Sequence, residues 1–221
     1  MFKELINLFS KDNLMKQAFD ASVDMLKTDQ EMFLEAVRSL RDSDTADLRF
    51  DLYEKDRQIN AYEREVRRKV MTHLAIAGAT ELAMGIRLVS IVIDIERIGD
   101  YTKNIVELAM THPERLNLGA FENDVVPVEQ RLKANFDTLI KAFVEQDSKL
   151  AREIMSTHQK EVSSVCDGIV ISLVRGEVRD LNTQTAAAMV LYLRFIKRIH
   201  SHLKNIASSI VNPVDRIGYS E

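Results

Sequence analysis

The first proline of this chain is residue 113, and none interrupts it between Pro127 and Pro213. Proline removes a backbone donor and clashes with the preceding helical turn, so stretches this free of it can run as long helices. Seven glycines add few further breaks. Tight hairpins and strand–helix turns consume Gly, Pro and Asn-Gly pairs, which argues against a sheet-rich fold. Apolar residues make up 46% and charged ones 29%, with a net charge of −4. That balance excludes collagen-like, low-complexity and disordered classes. It also argues against a nucleic-acid binder, which would carry a basic excess or stripe.

Helical periodicity fills the gaps between breakers. After a short amphipathic opening with Phe2, Leu5, Ile6 and Phe9 on one face, Ser10 or Asp12 is placed to cap a helix to about Leu40. A turn at "RDSDTAD" leads to a second helix from about Thr45 to Ala77. Thr80 caps a third that ends near His112 before Pro113. Further helices are expected at about Val128–Gln146, Ser148–Arg175 and Asn182–Val211, with Asp147 and Asn182 as caps and Gly176 as a stop. The predicted fold is therefore all-α: six long helices in two pseudo-symmetric, antiparallel three-helix bundles, forming one elongated body. Residues 1–112 make the first triplet, 113–127 a linker and 128–221 the second. "ERIGDYTKNI" at residues 96–105 and "KRIHSHLKNI" at 197–206 share five of ten positions at an offset of 101. The match falls late in the third helix of each set, as an internal duplication would place it.

Cys166 is a lone cysteine, Glu4 and Asp12 break any leader-like apolar core, and no uncharged run approaches the length of a membrane span. A soluble, cytoplasmic protein is expected. The opening amphipathic segment is too short to be stable alone, which leaves docking on the bundle, sealing of a homodimer or contact with a membrane or transporter.

The third helix carries the chemistry. At 100° per residue Leu82, Ile86, Val89 and Ile93 share one face and read as a core stripe, and Leu88, Ile91, Ile95 and Ile98 form a second apolar face. The first stripe continues into Glu96, Asp100 and Asn104, so two carboxylates one turn apart lie in line with core positions. The second helix offers Asp56, Asn60 and Glu63 along one edge of its apolar face. Antiparallel packing would oppose the two sets in a hard, oxygen-rich site suited to iron, manganese, magnesium or calcium, with zinc also admissible. A solvated face with internal ion pairs explains the same spacing.

"LVSIVIDIERIGDYTKNIVELA" resembles the signature of the PhoU phosphate-uptake regulator family, whose repeats carry a Glu/Asp-x-x-x-Asp motif in "ERIGD"-like helices. The resemblance implies two three-helix bundles related by pseudo-symmetry. It implies multinuclear iron or zinc sites on the bundle surface, with Glu96 and Asp100 at the motif positions. It further implies a non-enzymatic negative regulator of phosphate uptake that partners a phosphate transporter subunit or a sensor histidine kinase.

The second repeat departs from this pattern. Lys197 and Ser201 replace Glu96 and Asp100, and Gln159, Ser163 and Cys166 replace Asp56, Asn60 and Glu63. The acidic excess is likewise confined to the first half, where residues 1–110 hold 20 acidic and 16 basic side chains. One metal site at most is expected. The alternatives are a metal-free helical scaffold and a carboxylate-bridged metalloenzyme. For the latter no nucleophile, acid or base stands out near the carboxylates, and the five histidines form no Glu-x-x-His pair.

Overall fold

The structure, a computed structural model, describes residues 13–112, 114–179 and 181–219, apart from the side chains at 79 and 159. The amphipathic opening segment and its suggested caps Ser10 and Asp12 lie outside the described residues, as does Pro113. The described residues form six long helices. They are α1 (Leu14–Arg41), α2 (Leu52–Ala77), α3 (Leu82–Thr111), α4 (Glu122–Glu145), α5 and α6 (Thr183–Val211). Helix α5 runs as Ser148–Thr157, a π-helical segment His158–Ser163, and Ser164–Val174.

Local chemistry sets the ends. The side chains of Asn13, Asp51, Asp147 and Asn182 accept backbone N–H groups at the starts of α1, α2, α5 and α6, satisfying donors that a helix start leaves free. Gly78 and Gly176 end α2 and α5 with positive φ.

Two starts differ from expectation. Helix α2 begins at Leu52 rather than near Thr45, because residues 43–50 cross the end of α1. There Glu35 accepts the Arg49 N–H at 2.8 Å and the Arg38 guanidinium at 2.7 Å, and Leu48 and Phe50 pack on the core. Helix α4 begins at Glu122 rather than Val128. Val125 is buried, and Glu122 is held by Arg41 at 2.5 Å, so the helix starts before Pro127. Leu116 and Leu118 in the connection are buried too, and the Leu116 N–H donates to the Leu40 carbonyl at 2.7 Å.

The two triplets pack antiparallel through α1 against α4 and α3 against α6. Phe19 stacks on Phe143 with centroids 4.8 Å apart, and Phe33 meets Phe136 at 5.2 Å. His202 Nδ1 and Asn205 Nδ2 reach Asp94 Oδ1 at 2.7 and 2.9 Å. A buried Tyr192 donates to Glu129, which also pairs with Arg41 across the halves. One apolar core runs through both triplets.

This packing corrects the choice of core face on α3. Leu88, Ile91, Ile95 and Ile98 are the buried set, whereas Leu82 (46%), Ile86 (43%) and Ile93 (39%) remain substantially exposed and Val89 is half-buried. Both faces are apolar, so periodicity could not rank them. Helix α6 comes from the other triplet and packs on α3, and that choice of neighbour decides.

Candidate functional site

Helices α2 and α3 form an antiparallel hairpin closed at Gly78–Glu81, where His73 meets Glu81 at 2.8 Å. The pairing sets Asp56, Asn60 and Glu63 opposite Lys103, Asp100 and Glu96. Lys103 Nζ donates to Asp56 Oδ1 at 2.9 Å and to Asp100 Oδ1 at 3.4 Å, bridging the two helices. Asn60 donates to Asp56 at 3.4 Å. Arg97 lies 3.2 Å from Asp100 and 3.6 Å from Glu96, and Glu63 is engaged by Arg67 at 2.7 Å.

Helix α1 adds a carboxylate that the spacing argument missed. Asp29 is fully buried, and neither of its oxygens has a hydrogen-bond partner. Burial, and then the charges of Glu96, Asp100 and Asp56, hold its carboxyl well above the usual carboxylate range. Glu96 is raised as well, by burial first and then by Asp100. A signal for Asp29 exists in the sequence: it interrupts the buried stripe Met25, Leu26, Met32, Phe33 and Ala36 of α1.

Gly99 makes this convergence feasible. A Cβ there would come within 3.0 Å of Asp29 Oδ1 and 3.2 Å of Ile59 Cδ1. The glycine therefore lets α1 and α2 close on α3 beside the motif. Gly85 serves a similar approach, since a Cβ would stand 2.7 Å from Leu74 of α2.

Five carboxylates thus gather with three cations, Lys103, Arg97 and Arg67. As arranged, among the described residues no group of three or more His, Cys, Asp or Glu could hold a metal ion. The donor chemistry nonetheless fits a hard cation, because every anionic group offers oxygen and Asp29 is left unpartnered. An unpaired buried carboxylate is costly unless it is neutralised or meets a cation.

In the second triplet, Lys197 Nζ pairs with Asp167 at 2.5 Å. His200 is buried, contacts Asn135 at 2.6 Å and lies 2.8 Å from His158. Burial, then the charges of His158 and Arg131, push the His200 imidazole down to about 3. Ser163, which the expected repeat sets against Asn60, falls in the π-helical segment that interrupts α5. Cys166 is packed in the core, where burial pushes its thiol up to about 12.

Residues 23–109 match the family model of the PhoU domain. An uncharacterized protein of Deinococcus radiodurans is 26% identical over 156 residues, covering 69% of this chain and 56% of that protein. A Pseudomonas aeruginosa protein described as a phosphate-specific transport system accessory protein PhoU homolog is 24% identical over 218 residues, covering 94% of this chain and 89% of its own. The fold matches the crystal structure of PhoU from Pseudomonas aeruginosa, with a TM-score of 0.80, 22% identity and 91% and 97% of the two chains covered. It also matches the phosphate transport system regulatory protein PhoU from Streptococcus pneumoniae, with a TM-score of 0.77, 15% identity and 89% and 93% covered. Residues 23–109 are thus similar to a PhoU domain, and about nine-tenths of the chain shares the fold of the PhoU structures.

Proposed function

We propose that this PhoU-like chain regulates phosphate uptake and phosphate signalling by contact with a phosphate transporter subunit or a sensor histidine kinase, without catalysing a reaction. The observation that carries this reading is the correspondence, over 94% of the chain, with a protein described as accessory to phosphate-specific transport. Contact as the mode of action is supported by the exposed apolar stripe Leu82, Ile86 and Ile93, which runs along α3 into Glu96 and Asp100. Among the described residues no helix is long and apolar enough to cross a membrane.

We further propose that a divalent or trivalent metal, iron or zinc foremost, is held by Asp29, Asp56, Glu96 and Asp100, with Asn60 and Glu63 at its edge. Bound there, the ion would supply positive charge to a site where carboxylates outnumber cations. Asp29, Asp56 and the Glu96–Asp100 pair would join α1, α2 and α3 beneath the contact face. A metal-free scaffold is the second reading, favoured by the ion pairs that Lys103 already makes with Asp56 and Asp100.

Deletion of the gene, followed by measurement of phosphate uptake in phosphate-replete cells, tests the regulatory role. Derepressed uptake restored by the wild-type copy is expected, and unchanged uptake overturns it. Elemental analysis of the purified protein beside its Glu96→Ala/Asp100→Ala variant tests the metal. Equal metal content in the two removes these residues as ligands.

A further inference from the structure

We infer that Lys103 is the internal counter-cation of the carboxylate cluster and that a metal ion must displace it to bind. This rests on the metal reading above and adds the element that sets the strength of binding.

Lys103 Nζ occupies the place where Asp56 of α2 and Asp100 of α3 come within reach of a single cation, 2.9 Å from one and 3.4 Å from the other. A lysine ammonium is a compact positive charge, and here it is ion-paired with a carboxylate on each helix. It leaves Asp29, beneath the cluster, without a partner, so the lysine neutralises the rim of the site and not its floor. With Lys103 present, five carboxylates face three cations; without it they face Arg97 and Arg67 alone.

The lysine is also able to leave. Its side chain is 23% exposed, and a four-carbon stem can carry a hydrated ammonium out to water while the stem stays packed. Arg97, the other cation on Asp100, is more than half exposed. Occupancy is therefore a contest between a tethered monovalent charge and a free polyvalent one. The tethered charge holds the apo hairpin together and weakens metal affinity.

The second triplet holds a lysine in a similar sequence setting without this role. Lys204 aligns with Lys103 in the matched ten-residue segments, yet its Nζ donates to the Gly218 carbonyl at 2.9 Å, in the chain segment after α6. The same residue type at the same register has no such duty in the second triplet.

The test uses the full chain with Lys103→Met, Lys103→Gln, Lys103→Arg and Lys204→Met. Each is titrated with Mn2+, Zn2+ and, anaerobically, Fe2+ by calorimetry, with thermal melts of the apo and loaded forms. Lys103→Met should bind at least one of these ions ten-fold or more tighter than wild type. Its apo form should melt lower, and metal should raise its melting temperature by more than it raises that of wild type. Lys103→Arg keeps the charge and should return affinity towards wild type, and Lys204→Met should bind as wild type does. Lys103→Gln gives the same readout should methionine disturb folding.

Wild-type binding that Lys103→Met and Lys103→Gln leave equal or weaker overturns the displacement while sparing the metal site. Folded wild-type, Met and Gln proteins that bind none of the ions overturn both.

Discussion

The buried carboxylate of Asp29 lies against the bare backbone of Gly99, so close that a methyl group on Gly99 would stand 3.0 Å from Oδ1. An acid without a hydrogen-bond partner is thus seated, by the absence of a side chain, beneath a surface motif on the neighbouring helix. Few arrangements in a helical bundle would keep such a group unless a cation or a proton visits it.

Asp29→Asn should stabilise the metal-free protein at neutral pH. The folded-state pKa of Asp29 is raised, so its ionisation opposes folding. Stability falls as pH rises from the unfolded carboxylate value through the raised folded one, and returns on acidification. The variant removes this loss, worth about 1–3 kcal/mol for an unsatisfied buried group. Apo melts of the two proteins at pH 7.5, 6.5 and 5.5 should show a gap that narrows as pH falls. A wild type that melts above the variant at pH 7.5 contradicts it.

Two glycines inside helices should answer the same substitution with opposite signs. Gly168→Ala on α5 meets nothing within 4 Å and should gain about 1 kcal/mol from helix propensity. Gly99→Ala must push Asp29 and Ile59, and overpacking of about 1–3 kcal/mol should exceed that gain. Denaturant midpoints should rise in the first case and fall in the second.

Acid should weaken the second triplet through His200. Its folded pKa of about 3 lies below the ordinary histidine value, so the neutral ring contributes stability that is complete above about pH 6.5 and lost as pH falls towards 3. Roughly 2 kcal/mol should go between pH 7 and 5. His200→Gln should flatten that slope, read from urea midpoints at the two pH values. An unaltered slope would show the ring to be protonated without penalty.

Ile86→Glu places a charge on the exposed stripe without touching the buried set. Surface substitutions of this kind change stability by about 0.5 kcal/mol or less. The variant should fold with an unchanged melting temperature yet fail to recover the transporter subunit or kinase in a pull-down from phosphate-replete cells. Leu88→Glu, by contrast, should fail to fold, since Leu88 is 5% exposed in the core.

Much of the fold was legible because breakers and caps act locally. Asp147, Asn182, Gly78 and Gly176 stand where the spacing places helix ends, and their side-chain or φ requirements hold whatever packs around them. The starts of α2 and α4 were not legible. Asp51 caps α2 locally, but residues before it stay out of the helix where Glu35 captures the Arg49 N–H, and α4 starts early where Arg41, 81 residues away, captures Glu122. Asp56, Asn60, Glu63, Glu96 and Asp100 do face one another across the α2–α3 hairpin, but Lys103 and Arg97 stand among them. Asp29, on a third helix that the spacing along α2 and α3 does not reach, is the most deeply buried carboxylate of the group.

The sequence by itself determined that this chain makes long helices, where most of them stop, and that acidic groups crowd one register of α3, because each follows from short-range backbone chemistry and from a period of 3.6 residues. Which apolar face of α3 is buried was decided by tertiary structure alone. So was the delivery of Asp29 to the floor of the cluster and the bridging position of Lys103. Two equally apolar stripes are degenerate within one helix, and only the arrival of α6 on one side and of α1 and α2 around Gly99 breaks the tie.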